Sequence, residues 1–176
     1  TEAGILPRPL RLCHAGLVRE PLPPLAAPFD GIYAFKMAEI VLDTNVLVSG
    51  LRAGGGQSRR VLRRAIAGMD TLIIGTTLWL EYEAVLDRPE LEAYTSREER
   101  QAVLASLAAS GRWVRIYYGW RPNLPDEADN HLVELALAGG ARTIVTWNLR
   151  DLGGGEMPWP GLQALSPTQF LKEVDP

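Results

Sequence analysis

Cysteine is almost missing from this chain: Cys13 stands alone in 176 residues, which excludes an internal disulfide and a cysteine-built metal site. Histidine is nearly as scarce, with only His14 and His131, so oxygen ligands outnumber nitrogen ones and zinc is disfavoured. No apolar run approaches the roughly 18 residues of a membrane span, and no basic stretch leads into an apolar core at the amino terminus. Neither a transmembrane helix nor a signal peptide is therefore expected. Positive charge is not in excess either, with 18 Lys and Arg against 21 Asp and Glu. Any polyanion would have to be held by local arginine clusters, whose field is screened beyond about 8 to 10 Å. The chain has no internal repeat. What it does have, 47% hydrophobic and 22% charged residues, is the composition of one soluble globular domain with a real core, and a reducing cytoplasm is the simplest compartment.

Prolines divide the chain. Residues 1–36 hold Pro7, Pro9, Pro21, Pro23, Pro24 and Pro28, six of the 13, and show neither strand nor helix periodicity. They are expected to form an extension outside a core domain of residues 37–176.

The domain opens on EIVLDTNVLV, residues 39–48. Ile40, Val41 and Leu42 lack polar alternation, as a strand buried on both faces of a parallel sheet does, and Asp43 ends it. Thr44 and Asn45 are N-cap types, so the chain is expected to turn directly into a helix; Asp43 could be no more than its cap. After the glycines of 52–57, Ser58 is expected to cap a helix of Arg59 to Ala67, whose Arg59, Arg60, Arg63 and Arg64 form either a solvated face or a phosphate contact. TLIIG (71–75) is a second buried strand, followed by a helix from Thr76 or Thr77 to Leu86. Ser96 and Glu99 form a capping box for the next helix, which stops at Gly111. WVRIYY (113–118) alternates roughly as a strand, DEADN (126–130) opens a helix ended by Gly139 and Gly140, and TIVT (143–146) is the last unmistakable buried strand. Leu162 to Leu165 is a short edge strand, and Ser166-Pro167 starts a closing helix. This alternation predicts a three-layer α/β/α fold with a central parallel sheet of four to five strands.

Acids recur where such a sheet would gather them. Asp43 and Asp151 follow strand ends. Glu81 lies in the stripe of Leu78, Tyr82 and Val85, where an unpaired carboxylate costs several kcal/mol, so it needs a salt bridge or a cation. Asp129 shares its face with Leu132, Val133 and Ala136, while Asp126 sits at the cap, where a structural role suffices. Four such carboxylates without nearby lysines repel one another, which calls for a hard cation such as Mg²⁺ or Mn²⁺. His131 reads as a surface residue of its helix rather than a ligand. A phosphatase using Asp43 as nucleophile fits poorly, since no second aspartate stands two residues on.

LDTNVLVSG, the acid of LEYEAVL, DEADNHLVELALAGG and TIVTWNLRDL together resemble the ordered motifs of the PIN domain nucleases, particularly the bacterial VapC-type toxins of toxin-antitoxin pairs. The resemblance runs from about Ala38 to Lys172. It implies an acidic triad of Asp43, Glu81 and Asp129; the usual aspartate of the fourth motif is Asn148 here, with Asp151 three residues on as the substitute. The implied activity is hydrolysis of RNA phosphodiesters, with the four acids as catalytic and metal-binding residues for Mg²⁺ or Mn²⁺. Asn45 and Asp126 would support the site, Thr146 or Asn148 would reach the scissile phosphate, and Arg52, Arg59 and Arg60 would contact the RNA backbone. Single-stranded RNA suits a shallow site better than a rigid duplex. A cognate antitoxin and a homodimer follow from the same resemblance. The competing class is a PIN fold that binds RNA or protein but, with Asn148, does not cut.

Overall fold

The computed structural model describes residues 37–52, 56–119, 124–153 and 159–175. The 1–36 extension, with His14, therefore lies outside the described residues, as does part of the 153–161 loop. Five parallel strands form one sheet in the order β3-β2-β1-β4-β5: β1 Glu39–Leu42, β2 Thr71–Ile74, β3 Arg112–Trp113, β4 Thr143–Val145 and β5 Gln163–Leu165. Ile40, Val41 and Leu42 are all 0% exposed although successive strand residues point to opposite faces, so helices must cover both sides of the sheet. Leu72, Ile73 and Ile74 of β2 repeat the pattern. The helices are α1 Thr44–Arg52, α2 Gln57–Ile66, α3 Thr76–Leu86, α4 Arg97–Ser110, α5 Asn130–Gly139, α6 Leu149–Leu152 and α7 Pro167–Val174. The expected three-layer α/β/α architecture is thus the one observed.

Local signals set most boundaries. Ser96 and Glu99 make the anticipated capping box of α4, and Ser166 with Gln169 makes a second at α7. Gly140 ends α5 with φ +69°, a conformation that favours glycine. Two expectations are corrected. Helix α2 begins at Gln57 after Gly56, so Ser58 is inside the helix and caps nothing. The strand expected over 113–118 is only Arg112–Trp113: Val114 N–H still donates to Ile74 O, but β2 ends there and the chain beyond has no strand edge to pair with.

The arginines of α2 are divided. Arg64 is buried and donates through Nε to Asp70 Oδ2 at 2.7 Å and through Nη1 to Asp175 Oδ1 at 2.6 Å. This joins the start of β2 to the end of α7. Arg60 reaches the same Asp175 at 3.2 Å.

Candidate active site

The order of the strands positions the site. From β1 the chain moves outward to β2 and β3, then crosses back to β4 on the other side of β1, so the carboxyl ends of β1 and β4 flank a topological switch point where open α/β sheets bind ligands. Asp43 follows β1 there, and Thr146 follows β4.

Asp43 is 7% exposed and held by four donors. Its Oδ1 accepts from Asn45 N–H at 3.1 Å and from Thr44 Oγ1 at 3.3 Å. Its Oδ2 accepts from Asn45 Nδ2 at 2.7 Å and Thr146 Oγ1 at 2.6 Å. One carboxylate therefore caps α1 and also ties it to the residue that follows β4. Thr146, 0% exposed, has its hydroxyl fully used: it donates to Asp43 and accepts from Asn45 Nδ2 at 3.1 Å and Asn148 N–H at 2.8 Å. Asn45 completes the lock by accepting Trp147 N–H on Oδ1 at 3.2 Å.

Helix α3 brings in Glu81. The neighbouring Tyr82, fully buried, donates its hydroxyl to Leu42 O at the end of β1, so α3 is fastened beside Asp43. Glu81 was expected to need a partner, and it has one in His131, whose Nε2 lies 3.3 Å from Glu81 Oε2. His131 is not the surface residue the sequence suggested: it is 4% exposed, because α5 packs on β1, β2 and β4 and turns this face inward. Its Nδ1 stands 2.6 Å from Ala128 O, which can only accept, so Nδ1 carries a proton. Nε2 is buried, has no hydrogen-bond partner, and faces the Glu81 carboxylate.

The remaining acids meet through Asn148. Its Nδ2 donates to Asp151 Oδ2 at 2.7 Å and to Asp129 Oδ2 at 3.4 Å. Burial, then Asp43, Asp126 and Asp151, push the Asp129 pKa above its ordinary value, with His131 opposing. Burial likewise raises Glu81, with His131 opposing it and Asp43 and Asp129 reinforcing it. The anticipated acids therefore share one electrostatic neighbourhood. Asp126 stands at its rim, exposed, capping the turn before α5 by accepting from Ala128 N–H at 2.9 Å.

The donor chemistry fits a hard cation, because the carboxylate oxygens gathered here raise the pKa of Glu81 and Asp129. Among the described residues, no three acid, histidine or cysteine groups close into a metal cage, and Asn148 bridges Asp129 and Asp151.

Next to Asp43 an open groove of about 540 Å³ runs from Thr44 and Asn45 past Val48 and Val85 to Arg52 and Arg88. Arg52 stands 5.8 Å over the Tyr94 ring. Arg59 is half-buried on α2, and Arg60 is directed to Asp175 instead of the groove. Sequence reasoning missed His131, Ser58 and Trp147; an aromatic residue immediately past the last buried strand was the available signal for the last.

The PIN domain profile matches residues 39–150, more than half of the chain. The chain belongs to the PIN domain family. No curated protein matches it. Among solved structures this PIN domain is similar to a chain in the crystal structure of VapBC2 from Rickettsia felis bound to a DNA fragment from their promoter. That similarity has 15% identity and a TM-score of 0.48, over 73% of this chain and 98% of the other. Among the described residues, no helix of the PIN domain is long and apolar enough to cross a membrane.

Proposed function

We propose that this PIN domain is a Mg²⁺- or Mn²⁺-dependent endoribonuclease, the toxin of a toxin-antitoxin pair, acting in the cytoplasm as a homodimer restrained by a cognate antitoxin. The observation that carries the reading is the gathering of Asp43, Glu81, Asp129 and Asp151 at the β1/β4 switch point, with the pKa of Glu81 and Asp129 raised by burial and by acidic neighbours. Asp43, fixed by Asn45 and Thr146, would be the central ligand, with Glu81, Asp129 and Asp151 around it. When bound, the ion lowers the pKa of water and offsets charge that builds on the phosphate. Asn148 orients Asp129 and Asp151, and His131 orients Glu81. A single RNA strand would lie along the groove with its phosphates toward Arg52 and Arg88.

The second reading, a PIN fold that binds RNA or protein without cutting, draws support from Asn148 standing where the family carries an acid. One experiment separates them. Purified protein is incubated with single-stranded RNA and Mn²⁺, beside Asp43→Asn and Asp129→Asn. Cleavage by the wild type alone supports the nuclease; binding without cleavage supports the second reading.

A further inference from the structure

We infer that Trp147 is a stacking platform for a nucleobase next to the scissile phosphate, with Ser58 as its positioning residue; this rests on the ribonuclease reading above. Trp147 directly follows Thr146, whose hydroxyl holds Asp43, and precedes Asn148, which holds Asp129 and Asp151. It is 47% exposed.

The orientation of the indole decides what it offers. An indole that filled the core would be covered, and one that merely tolerated water would turn its N–H outward. Here the reverse holds: Nε1–H points inward and donates to Ser58 Oγ at 2.9 Å, on a residue only 2% exposed. The backbone N–H is also fixed, donating to Asn45 Oδ1 at 3.2 Å. The ring is therefore pinned through Ser58 of α2 and its backbone through Asn45 of α1, and with its one donor used the indole presents apolar ring outward. A rigid aromatic surface beside a phosphate-cleaving site matches the π face of an unpaired base, and it is sequence-tolerant because every base has such a face. Bases within a duplex are already stacked on their neighbours, so the occupant is a base of a single strand.

The test uses the full chain, Mn²⁺ and a set of single-stranded RNA oligonucleotides in which each nucleotide in turn is abasic. Trp147→Ala raises KM on intact RNA about ten- to a hundredfold, more than it lowers kcat, and Trp147→Phe recovers most of the loss. Ser58→Ala, which frees the ring without removing it, gives a smaller rise. At one abasic position the wild type and Trp147→Ala become equal. The inference is overturned if KM is unchanged in Trp147→Ala, or if the loss is the same at every abasic position. It also falls if that variant alters the oligomeric state and leaves RNA binding as it was, which would make the ring a contact between copies. Binding of the same oligonucleotides, followed by the fluorescence that Trp147→Phe lacks, separates the two claims. Base-dependent quenching without cleavage removes the nuclease reading and keeps the platform, whereas cleavage without base dependence does the opposite.

Discussion

Replacing Asn148 by aspartate would restore the acid that the family usually carries, and the structure gives this change a cost. Asn148 Nδ2 now donates to Asp151 Oδ2 at 2.7 Å and to Asp129 Oδ2 at 3.4 Å. Losing these bonds removes about 1 kcal/mol each at most, less for the longer one. A carboxylate at the same distances adds repulsion of roughly 1.5 and 1.2 kcal/mol even at the dielectric constant of water. Rotation and proton uptake relieve part of this, so Asn148→Asp should destabilise the metal-free domain by about 2 to 3 kcal/mol, or roughly 6 to 12 °C in Tm for a domain of this size. The assay is thermal melting at pH 7 in chelator, then with Mn²⁺. The ion should reverse the order: at a concentration of about 100 Kd it returns roughly 2.7 kcal/mol, and the added ligand should lower Kd. Asn148→Leu, which removes the donor without adding charge, should lose only about 1 kcal/mol and gain no more from Mn²⁺ than the wild type does. A variant Asn148→Asp that melts at or above the wild type in chelator would refute the bridging role of the amide.

Asp129→Asn should abolish cleavage yet melt at or above the wild type in chelator at pH 7. Its raised pKa means that the folded chain holds this proton more tightly than the unfolded one, so the cost is full above the folded pKa, fades as pH falls through it, and is gone below the unfolded value. A gap that widened on acidification would contradict this. Asp43→Asn should also abolish cleavage but melt lower, by about 1 to 3 kcal/mol, because an amide cannot accept from all four donors that hold Asp43. Arg64→Met should lose about 3 to 5 kcal/mol by chemical denaturation, since Asp70, 0% exposed, would be left buried without its partner. A chain beginning at Met37 should melt within about 5 °C of the full chain, roughly 1 to 2 kcal/mol; a larger fall would show that residues 1–36 dock on the domain.

The amino-acid sequence by itself determined the strands β1, β2 and β4, because uninterrupted Ile, Val and Leu runs can be buried on both faces only in a covered parallel sheet. It also determined the capping box of α4 and the αL end of α5, both of which depend on residues within a few positions of one another. Asp43, Glu81 and Asp129 were legible for a related reason: an acid at a strand end or on an apolar stripe contradicts local pattern. Only the tertiary structure decided what each acid touches. Thr146 reaches Asp43 across 103 positions and Trp147 reaches Ser58 across 89, through strand neighbours and helix packing that no local period encodes. His131 is the clearest case. Its neighbours in sequence suggest a solvated helix start, yet the packing of α5 on the central strands turns it inward to Glu81, fifty residues away. The length of β3 was decided in the same way: WVRIYY alternates roughly as a strand does, but a strand persists only as far as the neighbouring β2 offers carbonyl and N–H groups to pair with.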